Sequence, residues 1–217
     1  LPIYPRAHRQ LAAREALAYR PDTVVELYAT PTAMERHQDV RDAARAAGLD
    51  IEFTTEAVLD AMADTVTPQG IVAVARQSPT ALKDVFAASP RLIAICEEVR
   101  DPGNLGTIIR AADAAGADAV ILTGRTVDPY NPKVVRATTG SLFHVPVVVA
   151  ADLEATVERA HAAGLRVVAA DVGGEDFLAR RDLLAEPTAW LFGNEARGLE
   201  PEALAHADLS LRLPIYG

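Results

Sequence analysis

The sequence predicts an α/β protein whose larger part is a mainly parallel sheet with helices on both faces. From residue 92 onward, short apolar runs rich in β-branched residues alternate with helical patterns, and this alternation is typical of parallel βαβ architecture. The apolar runs are nearly continuous, as expected for strands that are covered on both faces. The chain has 217 residues, more than a single domain of about 100 to 150 residues usually has, so a second, smaller domain is expected.

Taken in order, the elements divide the chain into two domains. The pattern predicts a small N-terminal α/β domain over 1–77, a linker at 78–91 that contains two Ser-Pro pairs, and the larger domain over 92–217. In the first domain, strands are predicted at 24–29, 51–53 and 70–75, with helices at 31–47 and 55–63. In the second, strands are predicted at 92–97, 119–122, 145–149, 165–170, 189–192 and 209–213, with helices at about 105–115, 132–138, 152–163 and 201–205.

Composition excludes several classes of function. The formal charge of −9 argues against nonspecific binding to nucleic acid, which depends on Lys and Arg contacts to phosphates, although basic residues do cluster near Arg9 and Arg14 and around Arg136. Apolar runs fall far short of the roughly 20 residues that span a bilayer, and no secretory signal is visible. The single cysteine, Cys96, excludes an internal disulfide framework and a multi-cysteine zinc site. We therefore expect a cytoplasmic protein without a membrane segment or a bound metal.

The segment 100–110 joins a predicted buried strand to a helix. Pro102 and Gly103 form the turn, and Asn104 is a good N-cap for a helix whose first N–H groups can hold an anion. Arg110 follows Gly106 by four residues, so both are expected on one helix face, with space for a substrate or a second chain beside the guanidinium. A capped helix with a solvated arginine explains the same residues equally well.

The segment 190–199 again follows an apolar strand. Gly193 allows another backbone or a flat ligand to approach closely, and Glu195 places a carboxylate at the end of the strand. An ordinary turn between strand and helix remains an alternative. Neither this segment nor the previous one contains the residues of a P-loop or of a dinucleotide-binding fingerprint.

Two further segments contain polar groups beside apolar strands. At 136–146 the sequence Arg-Ala-Thr-Thr-Gly-Ser-Leu-Phe-His-Val-Pro offers Arg136 and several hydroxyls that can meet phosphate or ribose, whereas His144 is interpreted as capping a strand. At 209–217 a strand runs into Pro214 and Gly217 and cannot continue regularly.

Together these segments resemble the SpoU (TrmH) branch of the SPOUT superfamily of RNA methyltransferases. The sequence at 101–110 is similar to motif 1 of that family, 191–199 to motif 2, and Leu-Pro-Ile-Tyr-Gly at 213–217 to the opening of motif 3. The resemblance is strong over 92–217 and looser over 24–76, where it suggests an RNA-binding domain related to a ribosomal-protein fold.

The resemblance implies transfer of a methyl group from S-adenosylmethionine to a ribose 2′-OH of ribosomal or, less favoured, transfer RNA. It also implies a homodimer whose active sites are completed by the partner, and a trefoil knot in the C-terminal part of the sheet, a rare exception to unknotted topology. By analogy, Asn104, Arg110 and Glu195 face the methyl-transfer site. The cofactor is expected near Leu122, Thr123, Leu191, Gly193, Leu213 and Ile215, and RNA near Arg9, Arg14, Arg136 and Ser141.

Three departures from the family pattern are visible. Ala196 follows Glu195 where Gly is common, and the stretch that completes motif 3 is absent after Gly217. Arg14 runs straight into Glu15 where relatives carry an intervening stretch. The last two departures suggest that segments are missing from the sequence, with 1–14 forming a basic arm that is not part of a continuous helix.

Two other functions remain open at this point. A non-catalytic RNA-binding module of the ribosomal-protein type explains the N-terminal half but not the recurrent polar turns at strand ends in the C-terminal half. A Rossmann-type methyltransferase for small molecules lacks its early Gly-rich loop and the acidic residue one strand later.

Overall fold

A computed structural model describes residues 6–7, 10–62, 70–150 and 152–214. The strands are β1 Arg6–Ala7, β2 Val24–Ala29, β3 Ile51–Phe53, β4 Ile71–Ala75, β5 Leu92–Glu97, β6 Ala119–Thr123, β7 Val147–Val149, β8 Arg166–Asp176, β9 Thr188–Phe192 and β10 Leu209–Arg212. The α-helices are α1 Gln10–Tyr19, α2 Pro31–Arg36, α3 Gln38–Ala46, α4 Glu56–Met62, α5 Leu82–Ala87, α6 Pro102–Ala114, α7 Pro132–Ala137, α8 Leu153–Ala162 and α9 Pro201–Leu204, with 3-10 segments at 21–23, 141–143 and 177–185.

Contacts between residues divide the chain into two compact units. The first unit combines Leu1–Ser78 with Asp128–His144, and the second combines Pro79–Val127 with Val145–Gly217. This grouping differs from the sequence-based boundaries at two segments. Residues 128–144 pack with the first unit, and Val85 of the expected linker belongs to the core of the second.

The first unit has a four-stranded sheet with the order β1-β4-β2-β3. Strand β4 is antiparallel to β1 and β2, whereas β2 and β3 are parallel. Its core joins sheet residues such as Leu27 and Ile71 to Met34 and Val40 of the helices. The expected helix over 31–47 is two helices, because the backbone at His37 leaves the helical region with φ −121° and ψ 63°.

The start of the first unit also differs from the expectation. Residues 10–14 were expected in a basic arm, but they form the first half of α1. Ala12, Ala13, Ala16 and Leu17 of this helix are buried, and their spacing gives one apolar face that packs on the core. Burial of that face explains why a helix forms there.

The second unit has a six-stranded sheet with the order β10-β8-β9-β5-β6-β7, and every described pair in it is parallel. One face carries the core that Ile95, Ile121 and Leu191 form with residues of α5, α8 and α9, while α6 lines the opposite face beside Ala94 and Trp190. Helices thus cover both faces, and the predicted mainly parallel α/β class is confirmed. Within the described ranges, no helix has the length and apolar character needed to cross a membrane.

Candidate active site at the carboxyl edge of the parallel sheet

The turns that follow the parallel strands lie along one edge of the sheet in the second unit. Because all the strands run in the same direction, the chain leaves β5, β6, β9 and β10 at this shared edge. Ligands of open α/β sheets bind beyond the carboxyl ends of the strands. Three of these turns, at 98–104, 193–200 and 213–214, overlap the three motifs that the sequence indicated.

The turn after β5 starts helix α6 three residues earlier than a cap at Asn104 requires. Asp101 is the N-cap: its Oδ1 accepts a hydrogen bond of 2.9 Å from the backbone N–H of Asn104, and Pro102 occupies the first helical position. Aspartate is a favoured cap and proline is favoured at the position after it. The expectation of an Asn104 cap was wrong, and the side chain of Asn104 is exposed to solvent.

The turn after β9 is a tight hairpin held by its own backbone. The N–H and C=O groups of Asn194 and Gly198 exchange hydrogen bonds of 2.9 and 2.8 Å. A Cβ atom placed on Gly193 would lie 2.5 Å from the carbonyl carbon and oxygen of Gly198 and 2.6 Å from the nitrogen of Leu199. The chain's own backbone therefore approaches Gly193 closely, as one of the two sequence-based interpretations expected.

Direct hydrogen bonds link the turns after β5 and β9. Glu195 Oε1 accepts a hydrogen bond of 3.1 Å from the backbone N–H of Asp101, and Asn194 donates through Nδ2 to the carbonyl oxygen of Glu98 at 3.0 Å. Asp101 therefore bonds to two predicted catalytic residues. Its side chain accepts from the backbone N–H of Asn104, and its backbone N–H donates to the side chain of Glu195. The sequence had no signal for this shared neighbour.

Arg110, the third predicted catalytic residue, lies two turns further along α6. It is exposed and forms no ion pair with the residues that the structure describes. Gly106, in contrast, is buried. The two residues therefore do not share an open face, and the expected space beside Arg110 does not come from Gly106.

An apolar cavity of about 390 Å³ lies beside β8, β9 and β10. Phe177, Trp190 and Phe192 supply aromatic walls, with ring centroids 5.9 Å apart for Phe177 and Trp190 and 6.4 Å apart for Trp190 and Phe192. Leu213, predicted to bind cofactor, lines the same cavity, as does the carboxylate-bearing Asp171. Sequence reasoning missed Asp171 and the aromatic residues, since only the sheet order brings β8 next to β9 and β10.

The other predicted cofactor residues have different positions. Leu122, Thr123 and Leu191 are at most 2% exposed, so they are packed in the interior. Ile215 lies outside the described residues.

The predicted RNA-binding residues belong to the first unit. Arg14 forms an ion pair of 2.5 Å with Asp39, in which both side chains are roughly half exposed. Arg136 lies half-buried in the last turn of α7, and Ser141 is 6% exposed, which counts against a direct contact of its hydroxyl with RNA in this conformation. Arg9 lies outside the described residues.

Cys96 is not a reactive thiol at this edge, and no metal-binding cluster is seen among the described residues. Burial, with a smaller contribution from the negative charge of Glu195, raises the pKa of the Cys96 thiol to about 12, so it is protonated and inert at neutral pH. Among the described residues, no three His, Cys, Asp or Glu side chains are grouped so that they can hold a metal ion.

This arrangement is that of an α/β ligand-binding domain with its site at the strand ends, attached to a smaller α/β unit. Residues 91–217 match the SpoU rRNA Methylase family, and residues 12–81 match the RNA 2′-O ribose methyltransferase substrate binding domain. The chain belongs to the SpoU rRNA methylase family. The resemblance inferred from the three motifs is thereby confirmed.

Individual relatives support the same assignment. The chain is 37% identical over 171 residues to the 23S rRNA (guanosine(2553)-2′-O)-methyltransferase RlmP of Bacillus subtilis, a match that covers 78% of this chain and 66% of RlmP. It is similar in structure to the AdoMet-bound rRNA methyltransferase of Sinorhizobium meliloti, with a TM-score of 0.82, 32% identity and coverage of 99% of this chain and 79% of that one. The AdoMet complex of AviRb from Streptomyces viridochromogenes gives a TM-score of 0.78 at 29% identity, covering 95% of this chain and 80% of AviRb.

Proposed function

We propose that this chain transfers the methyl group of S-adenosylmethionine to a ribose 2′-OH of RNA, and that the RNA is ribosomal. The chain spans 66% of the length of RlmP, so the activity is a proposal for the protein as a whole. The observation that carries it is the hydrogen-bonded junction at the sheet edge, where Asp101 joins the turn that presents Asn104 to the turn that presents Glu195. The names of the relatives, which are 2′-O-methyltransferases acting on 23S rRNA, support the substrate class.

The cavity beside β8, β9 and β10 fits an adenosyl group. Its volume of about 390 Å³ is in the range of small-molecule sites, and such sites combine apolar walls with a few polar groups. Trp190, Phe192 and Leu213 would contact the flat adenine, and Asp171 would accept hydrogen bonds from hydroxyl groups at the rim. A second cavity, of about 300 Å³ between α6 and the sheet, is lined almost entirely by apolar side chains and offers no partner for a charged ligand.

The chemistry requires positioning more than proton transfer. S-adenosylmethionine supplies a methyl group on a positively charged sulfur that leaves as a neutral thioether, so no acid is needed for departure. Arg110 remains protonated, since the pKa of a guanidinium lies above about 12. It acts by donating to the ribose oxygen as negative charge develops, or by holding the adjacent phosphate so that oxygen, carbon and sulfur align. The 2′-OH proton departs to water, to a phosphate oxygen or to a group of the partner subunit.

The location of the cofactor is tested with a matched pair of variants. Leu213 and Val149 are 63% and 60% exposed, but only Leu213 lines the cavity. Leu213→Arg should weaken S-adenosylmethionine binding at least about tenfold in calorimetry, because the new side chain fills the cavity with positive charge, whereas Val149→Arg should bind as wild type does. Equal affinity for both variants would place the cofactor elsewhere.

The substrate is tested by mass-spectrometric mapping of ribose methylation after incubation with ribosomal or transfer RNA. Methylation of ribosomal RNA alone supports the proposal. Cofactor binding without methylation of either RNA would leave the activity unsupported, and no cofactor binding at all would favour the non-catalytic RNA-binding module.

Four further features are part of the proposal. The first unit is proposed to bind the RNA substrate, with Arg9, Arg14, Arg136 and Ser141 near the RNA. A homodimer is supported by the apolar groove between α6 and the sheet. A trefoil knot is supported by the register shift between β8 and β10, where a Cβ on Gly174 would lie 2.5 Å from the backbone of Ser210. A cytoplasmic location is supported by the single cysteine, the buried free thiol Cys96, since disulfides are rare in reducing compartments.

A further inference from the structure

Glu98, the first residue after β5, has a backbone conformation that is unfavourable for its residue type. Its φ is +53°, in the left-handed region that is strained for an ordinary L-residue but open to glycine. Its backbone hydrogen bonds do not require a side chain: its N–H donates to the oxygen of Thr123 at 3.2 Å, and its C=O accepts from Asn194. Glycine would make both bonds without strain.

The side chain of Glu98 connects three turns at the sheet edge. Its Oε2 accepts from Arg100 Nη2 at 2.9 Å, within the turn after β5, and from Arg197 Nη2 at 3.3 Å, in the turn after β9. A Cβ placed on Gly124, in the turn after β6, would lie 3.0 Å from Glu98 Cγ. One carboxylate oxygen therefore holds two guanidinium groups from the two turns that carry Asn104 and Glu195.

These ion pairs do not explain the residue through stability. The side chains of Glu98, Arg100 and Arg197 are 29%, 48% and 54% exposed, and ion pairs with this exposure contribute little to stability because solvent screens them. The strain of the left-handed conformation offsets a contribution of that size. What the carboxylate adds is a fixed distance between the two turns.

We infer that Glu98 is a positioning residue that ties the turn after β9 to the turn after β5 through Arg197 and Arg100, and so keeps Glu195 and Asn104 in register for methyl transfer. The inference rests on the proposed function for its catalytic consequence, but not for the contact itself. Small displacements of positioned groups can cost on the order of 100-fold in rate. Two exposed ion pairs justify a smaller expectation, of about tenfold.

The test compares Glu98→Gly with Ser89→Gly in the full-length protein. Ser89 has nearly the same φ, +54°, is exposed and lies at the end of α5, away from the turns. Both variants relieve the same backbone strain, so neither should lower the melting temperature. Only Glu98→Gly should speed hydrogen exchange of the amides at 193–200 and lower kcat about tenfold, with S-adenosylmethionine affinity changed less than threefold.

Two further variants separate positioning from a general structural role. Arg197→Ala should reproduce the faster exchange and the lower kcat of Glu98→Gly. The double variant Glu98→Gly, Arg197→Ala should be no worse than either single variant, because each of the three removes the same ion pair between the turns. Glu98→Gln keeps an acceptor oxygen and should recover part of the rate.

Each result either supports or overturns the inference. Unchanged exchange at 193–200 in Glu98→Gly, or a kcat within twofold of wild type, overturns it, as does a melting temperature that falls in parallel with activity. If wild type shows no methyl transfer but exchange responds as expected, the link between the turns stands and the proposed function fails.

Discussion

Replacing Gly193 tests the tightest backbone contact at the site. A methyl group there meets the carbonyl group of Gly198 at 2.5 Å and the nitrogen of Leu199 at 2.6 Å. Neither neighbour is the flexible end of a side chain, so Gly193→Ala must move backbone. The hairpin that the Asn194 and Gly198 hydrogen bonds close has to open.

The expected loss of stability follows from what is displaced. Two backbone hydrogen bonds contribute about 0.5 to 1.5 kcal/mol each, and Leu199, 7% exposed in the core, loses part of a burial that stabilises by about 1.5 to 3 kcal/mol. The total is about 3 kcal/mol. For a chain of this length, roughly 2 to 4 °C per kcal/mol corresponds to a fall in melting temperature of about 6 to 12 °C. Gly193→Val places a larger side chain against the same backbone atoms and should be worse.

Gly198→Ala is the matched control in the same hairpin. Gly198 has φ +70°, but nothing lies within 4 Å of a Cβ atom there, so the variant carries only the left-handed strain of about 1 kcal/mol. Thermal unfolding followed by circular dichroism should therefore rank wild type, Gly198→Ala and Gly193→Ala in that order. A Gly193→Ala protein that melts within 2 °C of wild type would refute the close contact.

Three further predictions concern the reaction, the assembly and the buried thiol. Arg110→Ala should bind S-adenosylmethionine normally yet lose about 10²- to 10³-fold in single-turnover rate, since it removes one preorganised donor. Arg110→Lys should recover little of the rate if the forked geometry of the guanidinium matters. A rate for Arg110→Ala within threefold of wild type rejects a catalytic role. Light scattering should show a homodimer, and an active monomer at nanomolar concentration contradicts this. Burial raises the pKa of Cys96 from 9.0 to about 12, so between these pH values the unfolded thiol ionises and the folded one does not. Folding stability should therefore decline as pH rises from about 9 to about 12. Cys96→Ser should lessen that decline in denaturant titrations.

Sequence patterns predicted the elements of the parallel sheet well because every strand except β10 contains an uninterrupted apolar run. Strand β5 has the predicted bounds, as do β2 and β3 of the first unit, and the other strands of the large sheet differ mainly at their ends. The largest difference is β8, predicted to end at 170 but extending to Asp176. Its last residues pair with Leu211 and Arg212 after a register shift, and no local pattern marks a strand that is completed by a segment far along the chain.

The site was predictable in its motifs but not in its contacts. Glycine, asparagine and glutamate at strand ends identified the two turns that meet at Asp101. Asp101 and Asn104 are both favoured N-cap residue types. Asp101 caps α6 because it directly precedes Pro102, and proline is favoured at the first helical position. The backbone contact of Gly193 with Gly198 and Leu199 depended on how the turn after β9 folds back, which no local pattern specifies.

The contacts between the turns bear on how the proposed reaction is accelerated. A methyl transfer from sulfur to oxygen gains most from alignment of three atoms, and effective molarities of about 10⁵ to 10⁸ M show how much alignment can supply. Alignment requires turns that do not move independently. At this sheet edge, the backbone of Asp101, the carbonyl of Glu98 and the Glu98 carboxylate each bond to a residue of the turn after β9. Because these links are made by the protein's own groups, the proposed reaction can draw on turns whose relative position the fold itself fixes.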